Sequence, residues 1–229
     1  MELKKINDRI FYCSHEAKTD RPMLVYLNGD KIKVVIDAGA SKAHVEEFYD
    51  ALTKARLQLP DFTVLTHWHW DHSYGLHAIH GLSIAHTKTN EYLLQEQVKV
   101  KDSKYIVSLK ENNEYFLNEY NNNQKIIISL ADIEFDSTLF LELGNMKLEL
   151  FHTVSPHSDD TVLIYVASEK ILFLGDATFG DYFNDFKMDF AKLEKLKQTI
   201  NNIDCKYCII SHDEPLTKEE LLLYLNSIQ

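Results

Sequence analysis

Cysteine is scarce in this chain: Cys13, Cys205 and Cys208 are the three among 229 residues. An odd and sparse set builds no disulfide framework and suits a reducing compartment. Long apolar runs are missing too. No stretch nears the ~18–20 residues of a membrane-crossing helix, and Met1-Glu2-Leu3-Lys4-Lys5 opens without the apolar region of a signal peptide. Basic residues fall short of acidic ones, 24 Lys plus Arg against 35 Asp plus Glu, for a formal charge of -11. Such a surface disfavours nucleic acid and anionic membrane as partners. These absences predict a cytoplasmic protein acting on a small molecule. Low-complexity linkers and fixed-period repeats are also lacking, so residues 1–229 are expected to form one domain, and a 45% hydrophobic content is enough for a sizeable core.

What is present begins with strands. Met23 to Leu27 and Ile32 to Ile36 flank Asn28-Gly29-Asp30-Lys31, whose Asn-Gly pair signals a hairpin. After Ser41, a helix N-cap by type, Val45, Phe48, Tyr49, Leu52 and Leu57 recur at helical spacing before Pro60 and an apolar strand from Phe62 to Thr66. A helix-rich insertion spans about residues 89–121 and ends at Asn121-Asn122-Asn123. It reads as a lid or as the surface of a homodimer, and its aromatics equally as ordinary helix-packing residues. Strands are predicted again at Lys125 to Ile128, Thr138 to Leu143, Met146 to His152, Thr161 to Val166, Ile171 to Leu174 and Tyr207 to Ser211. Phe190 to Ile200 reads as an amphipathic helix, and Thr217 with Glu220 as a capping box opening another. Strand clusters followed by helices in both halves suggest two sheets face to face with helices outside.

The richest segment is His67-Trp68-His69-Trp70-Asp71-His72, directly after the predicted strand ending at Thr66. Three imidazoles and a carboxylate in six residues make a metal-binding loop, because zinc, iron and manganese accept both ligand types. His67 and His69 alternate, so their rings point the same way off an extended backbone. Asp71 and His72 face a neighbouring point, which makes two metals plausible. Four further polar residues each follow an apolar run: Asp37, His157, Asp176 and His212. Alone, each reads equally well as a turn residue.

In this order the residues resemble the metallo-beta-lactamase-fold hydrolase superfamily over nearly the whole chain. That family's pattern is an Asp after an early strand, a His-x-His-x-Asp-His loop, then a lone His, a lone Asp and a final His. The resemblance implies an α+β fold, a four-layer αββα sandwich of two mixed β-sheets flanked by helices. It further implies that His67, His69 and His157 hold a first metal and that Asp71, His72 and His212 hold a second. Asp176 would bridge them, with Asp37 supporting from behind. The cofactors implied are two divalent ions, zinc first, with iron or manganese as alternatives. Three imidazoles leave a zinc-like ion one open position, as catalysis requires, and a hydroxide shared by two cations forms near neutral pH. Asp71 would also orient the attacking water.

The departures narrow the expected activity. Pro156 precedes His157 where the family usually has Gly, which leaves His152 as an alternative ligand. Beta-lactam-cleaving members carry Cys or Ser at the place of Asp176. Glyoxalase II-like thioesterases append a helical domain, and little chain follows His212. Acyl-homoserine lactonases share the seven-residue set but place Tyr three residues after the bridging Asp, where this chain has Phe179. Flavodiiron relatives replace the second His of the loop, here His69, by Glu. The expected function is a metal-dependent hydrolase using a metal-bridging hydroxide on an ester, lactone or thioester-like bond. Phosphodiester hydrolysis, iron-dependent oxidoreduction and non-catalytic metal-dependent sensing are the alternatives. Trp68, Trp70, Tyr74, Phe179, Tyr182 and Phe183 flank the motifs and are read as pocket walls or as packing. Cys205-Lys206-Tyr207-Cys208 has redox or zinc spacing without a second pair. Asp159-Asp160 reads as a turn or loop-bonding pair, with binding of a cationic group as the alternative.

Overall fold

In the strand Lys33–Ile36, Val34 and Ile36 point one way and Val35 the other, yet all three are buried. A strand covered on both faces must lie between layers. The computed structural model describes residues 1–121 and 124–228. Its first sheet runs in chain order: β1 (Lys4–Lys5), β2 (Ile10–Cys13), β3 (Leu24–Asn28), β4 (Lys33–Ile36), β5 (Phe62–Val64), β6 (Leu82–His86) and β7 (Ile133–Phe135). The first four strands pair antiparallel and the last three are added in parallel. The second sheet is built from β8 (Thr138–Glu142), β9 (Lys147–His152), β10 (Val162–Val166), β11 (Ile171–Gly175), β12 (Tyr207–Ile210) and β13 (Leu216–Thr217). It is antiparallel except where β11 meets β12. Both sheets are therefore mixed.

Between the sheets, Val25, Val34, Ile36 and Val64 meet Leu148, Leu150, Ile164 and Phe173. The described residues hold seven α-helices: α1 (Lys42–Lys54), α2 (Trp70–Ser73), α3 (Thr87–Lys99), α4 (Ser103–Asn112), α5 (Glu114–Glu119), α6 (Phe190–Asn202) and α7 (Lys218–Ser227). Phe48 and Leu52 of α1 pack on Phe11 and Tyr26, while Leu193, Leu196 and Leu221 of α6 and α7 pack on Leu163 and Leu172. The four layers are helix, sheet, sheet and helix, the αββα sandwich the resemblance implied. Local signals act where expected. Ser41 accepts from the His44 amide to start α1, and Thr217 with Glu220 forms the capping box of α7. No helix among the described residues is long and apolar enough to cross a membrane.

Two predicted strands differ. Lys125 to Ile128 is irregular rather than extended in a sheet. Two of its three isoleucines are satisfied by packing: Ile126 and Ile128 lie in the cluster around Leu93 and Phe116, and Gln97 of α3 donates to the Ile128 carbonyl. The strand β7 forms a few residues later. The strand Phe62 to Thr66 stops at Val64, since Asp37 captures the Thr66 amide. Asn122 and Asn123 of the expected break lie outside the described residues.

The helix-rich insertion resolves into α3, α4 and α5, and buried polar contacts tie it to the rest. The N-terminus of α3 holds the loop between β9 and β10. Lys88 and Tyr92 bond Asp159 at 2.9 and 2.7 Å, and the Thr89 hydroxyl donates to Asp160 at 2.8 Å. Asp159 and Asp160 are thus loop anchors, as one reading proposed. At the other end, Arg21 grips the buried Glu119 through two nitrogens at 2.8 and 3.0 Å, and Ser41 also donates to Glu119. The Tyr120 hydroxyl reaches the Ala40 carbonyl at 2.8 Å.

Two outcomes follow. Arg21→Ala leaves the Glu119 carboxylate buried without its cation and is expected to cost about 3 kcal/mol or more, read by denaturant unfolding. Burial pushes the Asp160 carboxyl up from 3.8 to about 6, so the folded state holds this proton more tightly than the unfolded chain. Its contribution is full below about pH 4 and is lost as pH rises through about 6, a change of about 3 kcal/mol. In chelator-treated protein, Asp160→Asn should therefore gain about 2–3 kcal/mol on wild type between about pH 4 and about pH 8. Parallel pH profiles would contradict this assignment.

Candidate metal centre

One edge of the sandwich collects the ends of β4, β5, β9, β11 and β12, and there the sequence-predicted residues meet. Asp37 follows β4 with a left-handed φ of 65°, a conformation Asp tolerates better than most residues. Gly175 ends β11 at a φ of 57°, where a Cβ would lie 2.8 Å from Cβ of Thr66. Only glycine permits that approach, and it brings Asp176 against the loop after β5. The metal loop turns into α2 at Trp70, so Asp71 and His72 ride on a helical turn while His67 and His69 stay extended. That change of backbone separates two facing points within six residues.

The side chains form two adjacent groups that could each hold an ion: His67, His69 and His157 in one, and Asp71, His72, Asp176 and His212 in the other. In the first, the ring centres of His67 and His69 are 4.6 Å apart and those of His69 and His157 4.5 Å. In the second, His72 Nε2 lies 3.1 Å from Asp71 Oδ2 and 3.3 Å from Asp176 Oδ2, and His212 Nε2 lies 3.2 Å from each. His157 Nε2 is 3.8 Å from the same Asp176 oxygen, which places that carboxylate between the groups. The centre is almost fully buried.

Buried polar atoms normally find hydrogen-bond partners. Here Nε2 of His67, His72 and His157 and Oδ1 of Asp176 have none among the described residues. For His72 the carboxylates are close in distance but not aligned as hydrogen-bond acceptors. Opposite nitrogens are anchored: His72 Nδ1 to Asp37 at 2.8 Å, His157 Nδ1 to the Gly180 carbonyl at 2.9 Å, His67 Nδ1 to the Thr66 hydroxyl at 3.1 Å and His212 Nδ1 to Asp20 at 3.1 Å. Rings held through Nδ1 with free Nε2 atoms converging are what metal ligation requires. The donor set fits two divalent ions.

Electrostatics separates the groups. Burial, reinforced by neighbouring imidazoles, holds His67 and His69 well below the ordinary histidine range, so their lone pairs are free. Burial also lowers His157, although Asp176 opposes it. For His72 and His212 burial acts downward too, but the carboxylates of Asp71 and Asp176 outweigh it and raise both well above that range. Burial would raise Asp71 and Asp176, yet His72 and His212 hold them well below the usual carboxylate range. Without a cation, protons on imidazoles balance these buried carboxylates.

His152 takes no part; its ring stacks on His86 at 4.1 Å and its Nε2 contacts the Asp159 carbonyl. Trp68, Trp70, Phe179 and Tyr182 all line the cavity that opens onto the centre, as do Tyr74 and Phe183. Trp68 and Tyr74 are also buried packing residues, so the two readings of them coincide. Cys205 and Cys208 are free thiols with sulfurs 3.8 Å apart, and no third ligating side chain joins them among the described residues. Sequence reasoning missed Asp20 and His15. Asp20 Oδ1 meets His15 Nε2 at 2.9 Å and His212 Nδ1 at 3.1 Å. No local pattern marks an aspartate whose partner is 192 positions away.

Residues 22–212 match the model of the Metallo-beta-lactamase superfamily. Similar solved structures include a metallo-beta-lactamase from Pontibacter korlensis, 19% identical, covering 99% of each chain at a TM-score of 0.69. The DIM-1 metallo-beta-lactamase is 19% identical over 100% of this chain and 97% of that one, with a TM-score of 0.64. The stereoselective inverting sec-alkylsulfatase Pisa1 from Pseudomonas sp. is 14% identical at a TM-score of 0.73, covering 98% of this chain and 40% of its own. At these identities the likeness is one of fold, and with the match over residues 22–212 it establishes that the chain belongs to the metallo-beta-lactamase superfamily.

Proposed function

We propose that this protein is a two-metal hydrolase cleaving an ester, lactone or thioester-like bond in a small molecule. The observation that carries the reading is the convergence of unpartnered, buried Nε2 and carboxylate oxygen atoms in two adjacent groups that share Asp176. His67, His69 and His157 would hold one ion, and Asp71, His72 and His212 the other. Two divalent cations, zinc first with iron or manganese as alternatives, would supply when bound a hydroxide near neutral pH and Lewis acidity at the carbonyl oxygen.

The remaining work falls to the chain. Asp37 and Asp20 fix the rings of His72 and His212 through their Nδ1 atoms, so neither ring needs to reorganise during turnover. Asp71, beside His72 and His212, orients the attacking water. The aromatic side chains of the cavity would cover the apolar part of a bound substrate beside the reacting bond.

A hydrolysis panel of neutral esters, lactones and thioesters tests this. Asp176→Asn should lose more than about 100-fold in kcat/KM on every substrate the wild type cleaves, while Asp20→Asn should lose about 10–100-fold together with affinity for one of two metals. Equal rates in wild type and Asp176→Asn would overturn the assignment.

A further inference from the structure

The cavity beside the metal centre contains five carboxylates, of Asp20, Asp71, Glu96, Glu114 and Asp176, and no lysine or arginine among the described residues that line it. We infer that it selects substrates uncharged away from the reacting bond and carrying an apolar acyl part, an inference that rests on the hydrolase reading above. A carboxylate or phosphate brought into such a cavity must leave its water and find a cation. At the far wall it would find carboxylates instead. A cationic group finds Glu96 and Asp20 already engaged, and only the solvent-exposed Glu114 is left to meet it. Glu96 accepts from Tyr74, Tyr105 and Lys99, each at 2.8 Å, and Asp20 is bonded to His15 and His212.

What the walls do offer is apolar, stacked aromatic surface. Trp68 lies between Tyr92 and Phe183, with ring centres 5.1 Å away on each side and interplanar angles of 24° and 7°. Across the cavity, Phe116 meets the Trp70 ring edge-on at 5.1 Å, and Leu109 of α4 completes that side. At the mouth, Phe183 and Phe186 are each 61% exposed, apolar surface that a bound acyl chain would cover. Asn113 donates to the Tyr182 oxygen at 2.8 Å, joining the insertion to the opposite loop. The Tyr182 hydroxyl hydrogen has no acceptor among the described residues, and so it can serve a neutral carbonyl.

Both tryptophans of the chain, Trp68 and Trp70, line this cavity, so binding can be read from intrinsic fluorescence without turnover. The probes are anilides of butanoic, hexanoic, octanoic and decanoic acid, alongside analogues ending in a carboxylate or a trimethylammonium group. Each added methylene of the neutral series should tighten binding about threefold to fourfold until the cavity is filled. The charged analogues should bind at least about 100-fold more weakly. Leu109→Lys should recover binding of the carboxylate analogue by at least about 10-fold while weakening the neutral series. Equal or tighter binding of either charged analogue, or affinity independent of chain length, would overturn the inference. The predicted pattern with no turnover of the matching esters would uphold it and overturn the hydrolase reading instead.

Discussion

The centre depends on the carboxylate of Asp37. It accepts from the Thr66 amide and hydroxyl at 2.8 and 3.0 Å and from His72 Nδ1 at 2.8 Å, so it joins the end of β4, the end of β5 and the helical turn that follows. These bonds end β5 at Val64, fix the direction in which the His67 loop departs and leave His72 Nε2 facing inward. The left-handed backbone of Asp37 aims the carboxylate there, and the surrounding sheet holds that conformation. The second sheet meets this junction through Gly175, whose missing side chain lets Asp176 approach Thr66.

Burying so many imidazoles and carboxylates without partners is unfavourable for folding alone. The protein offsets it with the apolar core between the sheets and with polar ties that hold the loops from outside, such as Arg21 to Glu119 and Thr89 to Asp160. The same ties position the insertion. Its first helix secures the loop bearing His157, and its later helices supply the far wall of the cavity. The insertion thus belongs to the centre structurally while contributing none of the seven converging side chains.

Much of this was legible in the sequence because it is local. The period of two at His67 and His69, the hairpin after Asn28 and the capping box at Thr217 each depend on neighbours within a few residues. Asp37, His157, Asp176 and His212 were legible as a set only through their order along the chain. Pro156 raised a doubt about His157 that the structure answers through Ser155, Asp159 and Asp160, which pin the loop independently of the residue before the histidine. What stayed hidden is long-range. The strand predicted at Lys125 to Ile128 is a run of β-branched isoleucines, but Ile126 and Ile128 pack into a helix-lined cluster rather than into a sheet. Asp20 carries no signature until folding brings it to His212, and the charge character of the cavity emerges only once segments from Asp20 to His212, far apart in the chain, enclose it.

The central claim is that two adjacent groups of side chains hold two ions. Titration of chelator-stripped protein with cobalt(II), followed by its visible absorption and by bound-metal analysis, tests it directly. The account predicts two equivalents bound by wild type and one by His212→Ala, with the spectrum of the group containing His67, His69 and His157 retained. Saturation of the wild type at one equivalent or none would contradict it.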